Sequence, residues 1–374
     1  MSIMEMDKEY VAGTYGRFPV EIVKGKGSIV VDTNGKEYID LTTGIGVTSF
    51  GIADDVWQKA VIDQISKVQH TSNLYYTEPC AKLAKLLCEK TGMSKVFFCN
   101  SGAEANECAI KIARKYKGRS TIVTLKNSFH GRTLTTLSAT GQEHYHELFL
   151  PLTPGFVSID SIEELKSLSD VAGVLIECIQ GEGGVVPIEP EFAKQIEAYC
   201  KENDALFMVD EVQTGNGRTG KLYAYQNYDL SPDVVSTAKG LGGGLPIGAV
   251  LMSKKVENVL GPGDHGSTFG GNPVSCAAAI SIIERIDDDL LLEVKKKGEL
   301  IKSTLENVPG VEGVTGLGLM VGIKTTKPAK YVVSACIENG VLCLTAKDKV
   351  RLLPALNIRE EDLKKALEII KENL

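Results

Sequence analysis

The chain has 374 residues, of which 43% are hydrophobic and 24% charged, and a formal net charge of −7. This describes an ordinary globular protein with a large core and room for two or three domains. The acidic balance speaks against nucleic acid as the main partner, because no basic excess is present to neutralise phosphates.

No apolar stretch approaches the length of a membrane span, and the opening MSIMEMDKEY lacks the basic-then-apolar order of a signal peptide. No membrane partner and a cytoplasmic location are therefore expected. The nine cysteines are scattered and none forms a CxxC pair. That pattern points to single thiols in a reducing compartment, with neither a disulfide framework nor a zinc site. His144 and His146 in EHYHE could touch a metal, but no third ligand lies nearby, so a polar loop and no metal are expected.

In chain order, SIVVDTNGKEYIDL (28–41) reads as a hairpin whose turn is Asn34-Gly35. KVFFCN (95–100) reads as a buried strand, followed by a helix in which Ala105, Ala109, Ile112, Ala113 and Tyr116 fall at helical spacing. STIVTLKN (120–127), GVLIECIQ (173–180), ALFMVDEV (205–212) and DVVSTAK (233–239) repeat the strand signal, with an amphipathic helix over 190–203 that has Pro190 at its start. Asn272 and Pro273 mark the start of a further helix. A long charged helix over 290–308, strands in VEGVTGLGLMVGIKT, VLCLTA and KVRLLPA, and a closing helix with Leu363, Leu367 and Ile370 in one stripe complete the chain. Strands alternating with helices predict an α/β fold with a mostly parallel sheet covered on both faces. The expected division is a large domain over 47–280 and a smaller α+β domain made of 1–46 and 281–374.

Parallel α/β sheets bind ligands at the carboxyl ends of their strands, and the unusual residues fall there. NSGAEAN (100–106) sets Ser101, Gly102 and Ala103 where a strand turns into a helix; free amides and the helix dipole make this an anion site, or else an ordinary cap. SFHGRT (128–133) offers an aromatic face in Phe129, an imidazole in His130 and a guanidinium in Arg132, although such a trio also occurs on plain surface loops. Asp210 follows the apolar run ALFMV, so its carboxylate ends a buried strand and needs a cationic partner. A Rossmann acid that binds ribose is the rival for Asp210, but no GxGxxG precedes it at the required distance. In STAKGLGGG (236–244) the glycines follow Lys239, whereas a P-loop has them before its lysine. A lysine amine, an anion site, an aromatic plate and a buried carboxylate are together what pyridoxal 5'-phosphate uses: a Schiff base, a phosphate site, ring stacking, and a partner that keeps the pyridine nitrogen protonated.

At TYGRFPV, FFCNSGAEANE, SFHGRT, IQGEGGV, VDEVQTGNGRTG, TAKGLGGGLPIGA, HGSTFGGNP and VRLLPALNI the chain resembles, nearly end to end, the fold-type I pyridoxal-phosphate aminotransferases of the ω-amino-acid class, class III. The resemblance implies Lys239 as the Schiff-base residue and Asp210 as partner of the pyridine nitrogen. It implies Gln213 near the ring's phenolic oxygen, Phe129 against the ring, Gly102 and Ala103 with Ser101 at the phosphate, and Glu211 and Val212 among the cofactor residues. It gives Arg132 and Ser267 to the substrate and Thr268 to the phosphate held by the opposite subunit of a homodimer. Glu182 and Arg351 are implied as a pair in which the glutamate covers the arginine while an ω-amine reacts; a plain salt bridge between domains is the rival. Ile52 and Cys178 stand where relatives often have histidine and proline, and neither touches an assigned role. The implied activity is transfer of the terminal amino group of N2-acetyl-L-ornithine to 2-oxoglutarate. The alternatives are ornithine, succinylornithine, succinyl-diaminopimelate or 4-aminobutyrate as donor, or, from a different class, a nucleotide- or phosphate-binding module without covalent chemistry.

Overall fold

The structure is a computed structural model that describes residues 1–374. Its centre is a seven-stranded sheet built from β1 (Lys95–Cys99), β2 (Thr121–Leu125), β3 (Phe156–Ile159), β4 (Val171–Ile176), β5 (Leu206–Asp210), β6 (Val234–Thr237) and β7 (Gly248–Met252). The spatial order is β1-β7-β6-β5-β4-β2-β3. Every neighbouring pair is parallel except those made by β7, which runs antiparallel to both β6 and β1. The first six strands therefore end at one common edge. All residues of β4 and β5 are buried, as expected of strands covered on both faces, whose sequences read as continuous apolar runs.

Helix α1 (Gly102–Lys117) follows β1 and packs on this sheet through Ala105, Ala109, Ile112 and Ala113, all fully buried. Small side chains let it approach closely: a Cβ at Gly173 of β4 would lie 3.3 Å from that of Ala113. A leucine at Ala109 would overfill this contact at a cost of about 1–3 kcal/mol. Helix α2 (Pro190–Glu202) opens with proline in its first turn, and α3 (Pro273–Ile283) is capped by Asn272, whose Oδ1 accepts from the amides of Val274 and Ser275.

The N-terminal strands and the chain after α3 share a second core, in which Val30, Ile39 and Leu41 pack with the stripe Leu363, Leu367 and Ile370. Strand Val341–Leu342 pairs in parallel with Glu37–Asp40, so the first hairpin and the last third of the chain are joined by a sheet. The hairpin turn differs from the two-residue form expected. It is a three-residue loop, Thr33 to Gly35, with Gly35 at φ +81°. Asp32 Oδ1 dictates this geometry by accepting from the amides of Asn34 and Lys36 at 2.8 and 2.9 Å. No helix is long and apolar enough to cross a membrane.

Candidate active site

The residues singled out at strand ends converge on one cavity of about 460 Å³ at the carboxyl edge of the sheet. Ser101 forms the N-cap of α1, its Oγ accepting from the Glu104 amide at 3.2 Å, while Glu104 accepts from the Asn100 amide at 2.8 Å. The amides of Gly102 and Ala103, first in the helix, have no intrahelical acceptor and face the cavity with the positive end of the helix dipole. Gly102 must be glycine: an added Cβ would lie 2.6 Å from Cγ1 of Val212, whose side chain closes against the helix start.

Asp210, 4% exposed, is held on every side. Its Oδ2 lies 2.7 Å from Asn106 Nδ2, which donates to it, and 2.8 Å from His130 Nδ1, and its Oδ1 accepts from the Val212 amide at 3.0 Å. Asn106 is fixed in turn by donating to the His130 carbonyl and accepting from Ser236 Oγ at 2.6 Å. The carboxylate thus reaches the cavity with a single orientation.

Lys239 follows β6 with φ +46°, a left-handed conformation that a lysine adopts only where the surroundings impose it. Burial pushes its ammonium pKa down, and the carboxylates of Glu182 and Asp210 act in the opposite direction. The net lowering favours a neutral, nucleophilic amine. Across the cavity, Phe129 meets Tyr145 edge-on at 5.7 Å between ring centroids, and the Arg132 guanidinium lies 4.2 Å from the Tyr145 centroid. Glu177, immediately after β4, also lines the cavity and accepts from the Phe129 amide at 2.9 Å.

Arg351 stands on strand Lys349–Leu352 of the second core and is 3% exposed. Its Nη1 donates to Glu182 Oε1 at 2.6 Å and to Gln213 Oε1 at 3.1 Å. Burial alone would raise the Glu182 carboxyl, but the charge and hydrogen bond of Arg351 outweigh it and hold that carboxyl below its ordinary value.

Five of the expected site residues do not line this cavity: Glu182 and Arg351, which pair with each other next to Gln213, and Glu211, Ser267 and Thr268. Glu211 is fully buried on the opposite side of the strand end, where its oxygens accept from Thr214 Oγ1 at 2.6 Å and the Tyr225 amide at 2.8 Å. Successive side chains of an extended segment point to opposite faces, so Asp210 and Val212 face the cavity while Glu211 faces away. Thr268 is exposed, and Ser267 accepts from Asn100 Nδ2 at 3.0 Å; both line a second cavity with Ser72–Thr77. Asn106, Glu177 and Tyr145 were not anticipated. Of the histidines weighed as ligands, His146 Nε2 lies 2.8 Å from the Leu137 carbonyl and His144 packs against Tyr145, the rings tilted by 39°.

Burial pushes the Glu211 carboxyl up from 4.5 to about 7, against hydrogen bonds from Thr214, Ala224 and Tyr225. Between those values the folded chain keeps a proton that the unfolded chain has lost, so stability falls as pH rises through this window. Glutamine can accept from Tyr225 and donate to Thr214 without ionising. Glu211→Gln is expected to be more stable than the wild type at pH 8, by up to about 3 kcal/mol, with the difference vanishing below about pH 5. Thermal unfolding at the two pH values checks this, and cofactor affinity should be unchanged.

The assembled groups fit pyridoxal phosphate: a lysine of lowered pKa, a fixed carboxylate, an aromatic ring, and a helix start stripped of its Cβ where a phosphate would need room. Comparison with known proteins agrees. The family description Aminotransferase class-III matches residues 10–374, and the chain belongs to that family. It is 46% identical over 385 residues to the acetylornithine aminotransferase of Haemophilus ducreyi, with 100% of this chain and 98% of the relative covered. It is 44% identical to that of Caldanaerobacter subterraneus, with 98% of each covered. Among solved structures it resembles the ornithine aminotransferase of Toxoplasma gondii at a TM-score of 0.94 and 33% identity, covering 99% of this chain and 93% of that one. It also resembles the N-acetylornithine aminotransferase of Stenotrophomonas maltophilia at a TM-score of 0.85 and 33% identity, covering 99% and 98%.

Proposed function

We propose that this chain moves the terminal amino group of N2-acetyl-L-ornithine to 2-oxoglutarate, giving N-acetyl-L-glutamate 5-semialdehyde and L-glutamate, as a step of arginine biosynthesis. The observation that carries the reading is the buried Arg351 covered by Glu182, both near enough to Lys239 for their charges to act on its amine. Such a site can present a neutralised surface to an ω-amine and an uncovered guanidinium to an α-carboxylate. The acyl group is supported by the similarity to relatives that bear this name over their whole length. A panel of donors with 2-oxoglutarate tests it: acetylornithine should exceed ornithine, 4-aminobutyrate and succinyl-diaminopimelate in kcat/KM, and preference for another donor would overturn the assignment.

Bound pyridoxal phosphate supplies a carbonyl that captures amines and a ring that takes up the electron pair released at the substrate carbon. Lys239 Nζ would hold the cofactor at rest and, when free, would carry the proton from the substrate carbon bearing the amine. Asp210, in an orientation fixed by Asn106, would keep the ring nitrogen protonated. Gly102 and Ala103 would offer their amides to the phosphate, Phe129 would support the ring, and Gln213 would serve its phenolic oxygen. Arg132 takes the substrate carboxylate that is remote from the reacting carbon. The polarity of the two half-reactions is then set by Glu182. While it covers Arg351, an α-carboxylate has no partner there; when it swings away, the guanidinium offers paired donors to glutamate or 2-oxoglutarate.

The working unit in this reading is a cytoplasmic homodimer. Thr268 is exposed on its own chain, which suits a hydroxyl that completes the phosphate site of the other subunit, with Ser267 near that substrate. Residues 47–280 act as the cofactor-binding domain and 1–46 with 281–374 as the smaller one that carries Arg351. Mixing and exchanging subunits of Lys239→Ala and Thr268→Ala should restore activity above that of either variant, because each mixed dimer regains one complete site. Activity equal to the average of the two variants would contradict a shared site.

A further inference from the structure

We propose that Glu177 is a positioning residue that ties the aromatic plate of the site to the loop carrying Glu182, so that cofactor occupancy and the cover over Arg351 are coupled. The inference rests on the functional reading above and concerns a residue to which that reading gives no role. Glu177 is 5% exposed, and both of its oxygens are used: Oε2 accepts from the Phe129 amide at 2.9 Å and Oε1 from the Gly181 amide at 3.3 Å. Neither amide has a backbone acceptor. One carboxylate therefore accepts from two amides about fifty residues apart in sequence, beside a second tie between the same segments, Gln180 Nε2 donating to the Lys126 carbonyl at 2.8 Å.

What lies beyond each anchor gives the arrangement its consequence. Phe129 is the plate itself. Gly181 precedes Glu182, and its bare Cα packs on the Gln213 carboxamide, since a Cβ there would lie 2.5 Å from Gln213 Oε1. That oxygen accepts from Arg351, whose other partner is Glu182. Residue 181 is thus a fixed point, and fully buried Val185, whose carbonyl accepts from Thr315 Oγ1 at 2.8 Å, is another, so the freedom for Glu182 to swing is confined to residues 182–184, where Gly184 takes φ +109°. A shift of the plate displaces the carboxylate and, through it, the base of the Glu182 loop. Burying an acid here is costly: its carboxyl is pushed up to about 7 by burial and by Asp210, with His130 and the two amides acting against this. A neutral side chain could fill the same volume but could not accept from both amides.

Hydrogen exchange read by mass spectrometry on the full-length protein tests the coupling. Adding pyridoxal phosphate to the cofactor-free wild type should slow exchange in the peptide covering residues 179–184 by about ten-fold, the scale of one charge-assisted hydrogen bond. In Glu177→Gln, which keeps the shape but offers one acceptor, the slowing should shrink to less than about two-fold while exchange in the β4 and β5 peptides is unchanged. Slowing that persists in the variant, or exchange that rises throughout the core, would overturn the coupling. Should the variant not fold, the wild type decides alone: equal exchange at 179–184 with and without cofactor refutes the proposal. Visible absorbance separates the two levels of the account. A chain that takes up no pyridoxal phosphate loses the functional reading and the coupling together, whereas a loaded chain without the coupling loses the coupling only.

Discussion

Replacing Lys239 with alanine is expected to lower transamination by at least about 10⁴-fold, because the variant loses the residue that holds the cofactor covalently and also the base that carries the proton at the substrate carbon. The two losses are separable. An added primary amine can stand in for the proton carrier, so partial rescue by methylamine should follow its basicity, while covalent retention of the cofactor stays lost. Borohydride reduction of the wild type followed by peptide mapping should find the reduced cofactor on Lys239. That lysine lies in the cavity in a left-handed conformation next to Gly240, where a Cβ would lie 2.7 Å from Ser49 Oγ. An adduct on a different lysine would refute the assignment, and a variant retaining more than about 1% of the wild-type rate would remove the proton-transfer role.

The largest change in specificity is expected from Glu182→Ala. Removing the carboxylate uncovers Arg351, whose Nη1 then keeps only Gln213 as a partner. The half-reaction with glutamate should persist or accelerate, and the half-reaction with acetylornithine should fall by about ten-fold or more, the weight of one hydrogen bond between charged groups. The competing account is a structural bridge between the two cores, since Arg351 lies on a strand of the second core and Glu182 in a loop of the first. A bridge would slow both half-reactions alike and lower the unfolding temperature. Unequal change without a large loss of stability is the behaviour of a group that excludes the wrong partner.

Much of this site can be read from local sequence, and the reason is topological. In a parallel sheet every strand delivers its next residues to the same edge, so a charged or glycine-rich junction after an apolar run is a site residue by position alone. Asp210 after ALFMV, Lys239 after VVSTA and Gly102 after VFFCNS follow that rule. Glu177 follows AGVLI in the same manner and could have been found by it. Asn106 also left a signal, a polar residue one turn before Ala109 and two turns before Ala113 on the buried face of α1. Glu211 shows the limit of reading neighbours as partners: the alternation of an extended backbone turns it away from the cavity that takes Asp210 and Val212. Strands β3 and β7 were missed because four or five residues flanked by glycine and proline carry too little periodicity to separate strand from loop. Tyr145 could not be inferred, since a loop residue joins a site only through the tertiary path of the chain.

The central claim is that one site accepts an ω-amine in one half-reaction and an α-amino acid in the other. It is tested most directly by mixing the loaded enzyme with acetylornithine alone and following the visible absorbance of the cofactor in a single turnover. The account predicts conversion of one cofactor per chain with release of one equivalent of semialdehyde in the absence of any acceptor, and full return of the original spectrum when 2-oxoglutarate is added. No spectral change until both substrates are present, or a change with glutamate but none with acetylornithine, would contradict it.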